Sequence, residues 1–216
     1  TNRRALGLVY LARGEAYRRL ANLHALRVYD EESAQKFFVN GRDNLQNALE
    51  LFQALQNQNV LDAYAELGRL YRDWMQLLQR MEQKQEARER QNQAESYFEK
   101  ALKEAQKQKA SHQTADILQD IGALYWLSGQ ERNATQAINV AKASIPDEYK
   151  PKPDSGFSSV PEPINPYWEI LGKLYLLEAQ MRFSAASGKN GNGSPSIDEE
   201  GLAFAILAVA AFQQHN

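Results

Sequence analysis

The chain has 216 residues, of which 43 % are hydrophobic and 24 % are charged, a balance typical of a folded globular protein. Its formal net charge of −2 argues against a nucleic-acid-binding surface, which usually carries a strong basic excess. Cysteine is absent, which excludes disulfides, zinc–thiolate sites and thiol catalysis and is compatible with a cytoplasmic protein.

Apolar residues that recur at intervals of three and four predict long amphipathic helices in the first half of the chain. One helix is predicted over residues 3–29, and a second runs from the capping residues 30–33 towards Gln58. A third helix begins near Leu61. Residues 81–93 are polar with mixed charges, which indicates a solvated helix face or polar bend, or alternatively a docking strip for a charged partner.

A helix-turn-helix unit is predicted over residues 116–146. Ser128 and Gly129 form its turn, and the second helix ends before Pro146. The two facing stripes consist of Leu118, Ile121, Gly122 and Tyr125 on the first helix and Ala134, Ile138 and Ala141 on the second.

Six of the seven prolines lie in residues 146–166, and this density predicts an extended loop without helix. The loop either packs across neighbouring helices or occupies a binding surface. A further helix is predicted over residues 166–187, followed by a flexible loop at 188–196. The last helix is apolar nearly all round over residues 202–212, so it must be covered on more than one side, but this run is too short to cross a bilayer.

The unit at 116–146 resembles a tetratricopeptide repeat, because Leu118, Ile121, Gly122, Tyr125, Gly129, Ala134, Ile138, Ala141 and Pro146 occupy the nine positions of the family pattern. A glycine followed by tyrosine three residues later recurs at positions 14, 68, 122 and 172. The resemblance implies an all-α fold, a right-handed superhelix of about four antiparallel helix pairs. Since the family unit is about 34 residues, the wider spacing here implies lengthened helices. We expect the four glycines to let neighbouring helix backbones touch.

The resemblance also predicts a single repeat domain over residues 1–216. Its units are roughly 3–58, 60–110, 114–146 and 166–214, with the proline-rich loop at 146–166 and the flexible loop at 188–196. The chain begins with threonine instead of methionine, as an excised fragment of a larger protein would.

Repeats of this family bind partners on a concave face lined by the first helix of each pair. Carrying over the family's lining positions gives an arginine-rich first half and an apolar second half, which predicts an extended peptide with acidic and hydrophobic parts as ligand. For Arg69 and Arg72 the alternative is a solvated helix surface paired with nearby acids, and for Trp126 it is core packing. The candidate protein-binding residues are Glu15, Arg18, Arg69, Arg72, Asp73, Trp126 and Lys173.

The sequence lacks the common catalytic and metal-binding motifs. None of His24, His112 and His215 lies in a Glu-x-x-His or HExxH pattern, and there is no G-x-S-x-G turn. We therefore expect a non-enzymatic protein without cofactor or metal, whose partner is a protein or peptide and neither nucleic acid nor membrane.

Two other functions stay open. Residues 101–122 are similar to the joins between repeats in bacterial signalling ATPases and transcription activators, which implies a regulatory sensor array. The apolar last helix favours a third possibility, a scaffold that forms a homodimer through this C-terminal segment.

Overall fold

The computed structural model describes residues 2–149 and 167–189 of the chain. This part is all-α and contains seven α-helices packed as sequential antiparallel pairs, as the sequence predicts at this level. The helices are α1 (Arg3–Leu23), α2 (Glu31–Ala54), α3 (Val60–Arg80), α4 (Lys84–Lys107), α5 (Ser111–Leu127), α6 (Glu131–Ser144) and α7 (Trp168–Lys189).

The chain divides into two compact units, Thr1–Ala110 and Ser111–Asn216. In the first unit α1 packs against α2 and α3 against α4, while α3 also contacts both α1 and α2. In the second unit α5 packs against α6, and α7 contacts both of these helices.

Helix starts and stops follow the local sequence. The side chain of Asn2 accepts a hydrogen bond from the Ala5 amide at 3.2 Å, and Asp30 accepts one from the Ser33 amide at 3.0 Å, as expected of capping residues. The predicted helix over residues 3–29 divides into α1 and a π-helical turn, His24–Val28. Only two residues then separate this turn from α2.

The turns that end α2, α3, α4 and α5 share one backbone geometry. In each, an amide hydrogen-bonds to a carbonyl five residues earlier, as Asn57 does to Phe52 at 2.9 Å. The residue before that amide is left-handed, with φ of 48° at Gln56, 60° at Glu82, 55° at Lys109 and 76° at Gly129. Gly129 confirms the predicted turn, whereas the other three turns place an exposed polar side chain where glycine is usually found.

The four repeated glycines differ in which neighbouring atoms occupy the space that a side chain would need. A Cβ built on Gly14 would lie 3.2 Å from the carbonyl oxygen of Gly41 on α2, so two helix backbones meet there as predicted. A Cβ built on Gly68 would instead lie 2.5 Å from the ring of Phe98, and one built on Gly122 would lie 3.2 Å from the Ile138 side chain. These glycines mainly receive side chains, and Gly172 is also buried in α7.

Stacked aromatic rings join α3 to α2 and to α4. Phe38 stacks on Trp74 with ring centroids 5.6 Å apart, and Tyr71 stacks on Tyr97 at the same separation. The Arg90 guanidinium lies 4.2 Å from the Trp74 ring centroid. α4 therefore uses both its apolar stripe and a cation from its polar first half to cover α3.

Several predicted boundaries shift or fall outside the described residues. Residues 81–93 form a turn and then the largely solvated start of α4, in line with the first interpretation of this stretch. A short 3₁₀ helix, Asp147–Tyr149, opens the proline-rich segment that was expected to lack helix. α7 includes Gly188 and Lys189, which were assigned to the flexible loop, because the helix continues to that point. The rest of both loops and the predicted last helix lie outside the described residues.

Candidate functional site

Four of the seven candidate residues come together between α1 and α3. Arg18 of α1 donates from Nε to Glu66 Oε2 at 3.2 Å and from Nη1 to Asp73 Oδ2 at 2.9 Å. Arg69 donates to the other oxygen of Glu66 at 2.6 Å. Arg72 donates from Nε and Nη2 to Asp73 Oδ1 at 3.0 and 2.9 Å.

Asn22 completes this group, because its amide donates to Asp73 Oδ2 at 2.7 Å. We call the group the α1–α3 ionic cluster; it consists of Arg18, Asn22, Glu66, Arg69, Arg72 and Asp73. The helical spacing puts Arg18 and Asn22 on one face of α1, and Glu66, Arg69 and Asp73 on one face of α3.

The cluster is only slightly exposed to solvent. The side chains of Asp73, Arg18 and Arg69 have relative exposures of 8 %, 13 % and 19 %. Burial alone would raise the pKa of Asp73, but the charges of Arg72 and Arg18 and the hydrogen bond from Asn22 outweigh it and lower this pKa. Burial likewise disfavours the charged form of Arg18, yet Asp73 and Glu66 raise its pKa overall.

Asp62 lies near the start of α3. It is half-buried, and burial raises its pKa although the Asn59 amide donates to it at 3.1 Å. Arg69 partly offsets that rise through its positive charge. The face of α3 on the α1 side therefore carries charged groups from Asp62 to Asp73.

Glu15 belongs to α1 but pairs with its neighbour Arg19 at 2.5 Å. Both are more exposed than the cluster residues, at 35 % for Glu15 and 73 % for Arg19. An exposed pair one turn apart contributes roughly 0.5 kcal/mol or less. Glu15 is therefore available to a ligand at little cost to the fold.

The other two candidates lie in the second unit. Trp126 is half-buried on α5, which leaves part of its ring accessible. Lys173 of α7 lies 2.7 Å from Glu169 in the same helix and 3.6 Å from Asp116 of α5. Asp116, Glu169 and Lys173 thus meet across α5 and α7.

The arginines of the ionic cluster were predicted from the sequence as site residues. Neither Asn22 nor Glu66 was predicted as one. Glu66 was considered only as a neighbour that could neutralise Arg69. Asn22 stands four residues after Arg18, so the helical spacing was a usable signal. Its partner could not be identified from sequence because Asp73 lies 51 residues away on another helix.

Three guanidinium groups face two carboxylates in this cluster. The arrangement supplies cations with planar donor groups, which suit carboxylate recognition, at a surface that is partly shielded from water. Nothing in it corresponds to a nucleophile paired with a base. Among residues 2–149 and 167–189, no three histidine, aspartate or glutamate side chains are grouped as a metal site would require.

No helix in the described part of the chain combines the length and apolar character needed to cross a bilayer. The chain was compared with protein-family models, curated proteins and solved structures, and none of the three comparisons gave a match.

Proposed function

We propose that this chain is a non-enzymatic, cytoplasmic, tetratricopeptide-like interaction module. In each compact unit the first helices, α1 and α3 or α5 and α7, would line a surface that binds an extended protein segment. Acidic residues of such a segment would suit α1 and α3, and apolar residues would suit the part of α5 that carries Trp126.

The α1–α3 ionic cluster is the observation that carries this proposal. Its three guanidinium groups lie close together on α1 and α3, and planar donors of this kind suit the carboxylates of an incoming acidic segment. The low exposure of the cluster strengthens such an interaction relative to one in bulk water. Glu15, on the same helix as Arg18, would then favour a basic residue next to the acidic part of the ligand.

The repeat architecture is part of the same proposal. α1 with α2, α3 with α4 and α5 with α6 would be three repeats, and α7 would begin a fourth. The helices are long enough to account for the wide spacing of the repeated glycines, since α1 to α4 each span 21 to 24 residues. A right-handed superhelix built from these pairs would place the first helices on its concave side.

A peptide-binding measurement tests the proposal. The probe is a fluorescein-labelled peptide with a glutamate-rich half and a leucine- and phenylalanine-rich half, compared with the same peptide carrying lysine for glutamate. We expect fluorescence polarisation to show binding of the acidic peptide alone. Arg72→Gln should weaken that binding roughly tenfold, because one charge-assisted contact is lost.

Arg42→Gln is the matched control for this substitution. Arg42 donates to the neighbouring Asp43 from Nε and Nη2 at 2.9 and 2.7 Å, the same pairing that Arg72 makes with Asp73, but it lies on α2. Melting curves for both variants show whether the fold is retained, and Arg69→Gln serves as a second variant. Equal binding of the acidic and basic peptides, or equal losses in the Arg72 and Arg42 variants, would overturn the proposal.

A further inference from the structure

α1 carries an exposed apolar stripe on the side opposite its buried one. Gly7, Gly14 and Ala21 are buried, and the stripe facing away from them is solvent-accessible. Its largest members, Val9, Leu20 and Leu23, are 52 %, 39 % and 48 % exposed. We call this surface the outer stripe; its residues are Ala5, Val9, Ala12, Ala16, Leu20 and Leu23, spaced by threes and fours.

The equivalent positions on α3 show what covers such a stripe. The repeated glycines and tyrosines align residue 14 with 68 and residue 17 with 71, an offset of 54 positions. At that offset Val9, Leu20 and Leu23 correspond to Ala63, Trp74 and Leu77. These three residues are buried, with exposures of at most 5 %. The corresponding positions are therefore covered on α3 but exposed on α1.

A helix provides that cover on α3. Phe38 of α2 stacks on Trp74, and a Cβ on Gly41 of α2 would lie 2.8 Å from Leu70, so α2 packs closely along this side. Leu70 corresponds to Ala16 of the outer stripe, and Trp74 corresponds to Leu20. The shape that fits the outer stripe is consequently a second helix laid along α1.

Charge determines which kind of helix fits. Residues 3–29 contain six arginines and one glutamate, although the whole chain has a net charge of −2. At the helical angle of about 100° per residue, Arg13 and Arg19 lie on opposite sides of the outer stripe, and both are exposed. Arg13 also stands at the position of the buried Leu67, so on that side the stripe has a charged border where α3 has an apolar residue.

These features favour an acidic helix over other occupants. A second copy of α1 would bring arginines against arginines, which opposes self-association through this face. Alanines at positions 5, 12 and 16 let another helix approach closely, whereas insertion into lipid favours bulky side chains along the whole apolar face. We propose that the outer stripe is a docking site for an amphipathic helix of a partner protein, with an apolar stripe bordered by glutamate or aspartate.

The test uses the full chain and two designed helical peptides of 21 residues. Both carry leucine and alanine at the core positions of a heptad repeat; one has glutamate at the flanking positions and the other has lysine. We expect the glutamate peptide to bind in a fluorescence polarisation assay and the lysine peptide to bind at least about tenfold more weakly.

Leu20→Glu should weaken binding of the glutamate peptide by about tenfold or more, since it places a carboxylate in the contact. Leu23→Glu is a second variant in case the first one unfolds. Val140→Glu is the matched control, because Val140 is 46 % exposed on α6 in the other unit. Arg13→Glu should shift preference towards the lysine peptide, and Arg42→Gln on α2 should leave helix binding unchanged.

Each other outcome identifies a different occupant or none. Failure of both peptides to bind, equal binding of both, or equal effects of Leu20→Glu and Val140→Glu would overturn the proposal. A dimer in sedimentation that Leu20→Glu dissolves would assign the stripe to a second copy and overturn it as well. Binding to vesicles of phosphatidylserine and phosphatidylcholine, lost in Leu20→Glu and stronger than binding to the glutamate peptide, would assign it to a membrane surface instead.

Discussion

Arg18 of α1 and Asp73 of α3 form a hydrogen-bonded ion pair, with Nη1 2.9 Å from Oδ2, although 55 positions separate them in the sequence. The pair joins the first helices of two successive helix pairs. Asp73 also accepts hydrogen bonds from Arg72 and Asn22, so one carboxylate engages three donor residues. Its removal should therefore affect the first unit more than the loss of an ordinary surface ion pair.

Asp73→Asn should lower the free energy of unfolding of the first unit by about 3 kcal/mol, because two buried arginines lose their shared counter-charge. Urea unfolding followed by circular dichroism measures this change. Asp43→Asn is the control, since Asp43 also pairs with the preceding arginine but is 53 % exposed. The control should change stability by less than about 1 kcal/mol, and equal losses would contradict a structural role for the cluster.

The lowered pKa of Asp73 predicts how this contribution depends on pH. A carboxyl group whose pKa is lower in the folded state stabilises the fold above its unfolded pKa, about 3.9, and this stabilisation is lost as pH falls through the folded value. The stability difference between the wild type and Asp73→Asn should thus be constant near neutral pH and shrink below about pH 4. Unfolding curves between pH 7 and pH 3 test this, and a difference that grows on acidification would refute the assignment.

Gly68→Ala and Gly122→Ala should have different effects although both glycines lie inside helices. The added methyl group at Gly68 would meet the Phe98 ring at 2.5 Å, so we expect a loss of about 1–3 kcal/mol. At Gly122 the nearest atom is 3.2 Å away on the Ile138 side chain, and the gain in helix propensity of about 1 kcal/mol offsets the crowding. Thermal unfolding compares the two variants. Similar destabilisation of both would show that the space around the glycine does not determine the change in stability.

The left-handed turn residues predict an unusual stabilising substitution. Glu82→Gly should raise the free energy of unfolding by about 0.5–1 kcal/mol, because glycine adopts the φ of 60° without the strain of a side chain. Glu99→Gly is the matched control: it removes the same exposed side chain from inside α4 and should lower stability by about 1 kcal/mol. Denaturant unfolding should give opposite signs for these two variants, and a loss in both would exclude the strain argument.

Local patterns in the sequence were sufficient to predict most helices. The apolar intervals predicted α1, α2, the start of α3, the α5–α6 pair and α7, and Asp30 was recognised as part of a capping segment because its short polar side chain precedes an apolar periodic run. The three turns at Gln56, Glu82 and Lys109 could not be predicted in detail, since no glycine marks their left-handed residues. The π-helical turn His24–Val28 likewise has no distinctive residue pattern.

The candidate site was predictable only in part. Family positions selected Arg18, Arg69, Arg72 and Asp73, which lie on α1 and α3, but they did not indicate that these side chains bind one another. That pairing depends on how α1 and α3 are rotated and offset, which the periodicity of each helix alone does not specify. The exposed outer stripe was missed for the same reason, because the apolar residues of the helix predicted over residues 3–29 were interpreted as one amphipathic pattern.

The arrangement of helices as sequence neighbours also bears on how the chain folds. α1 and α2 are joined by a short π-helical turn and two further residues, and α3 and α4 by three, so their large interfaces require only short loops to close. Proteins with such low contact order fold in microseconds to milliseconds, much faster than β-sandwiches of similar stability. Each hairpin of helices should therefore form early, and ion pairs of long sequence separation, such as Arg18 with Asp73, should form late and chiefly slow unfolding.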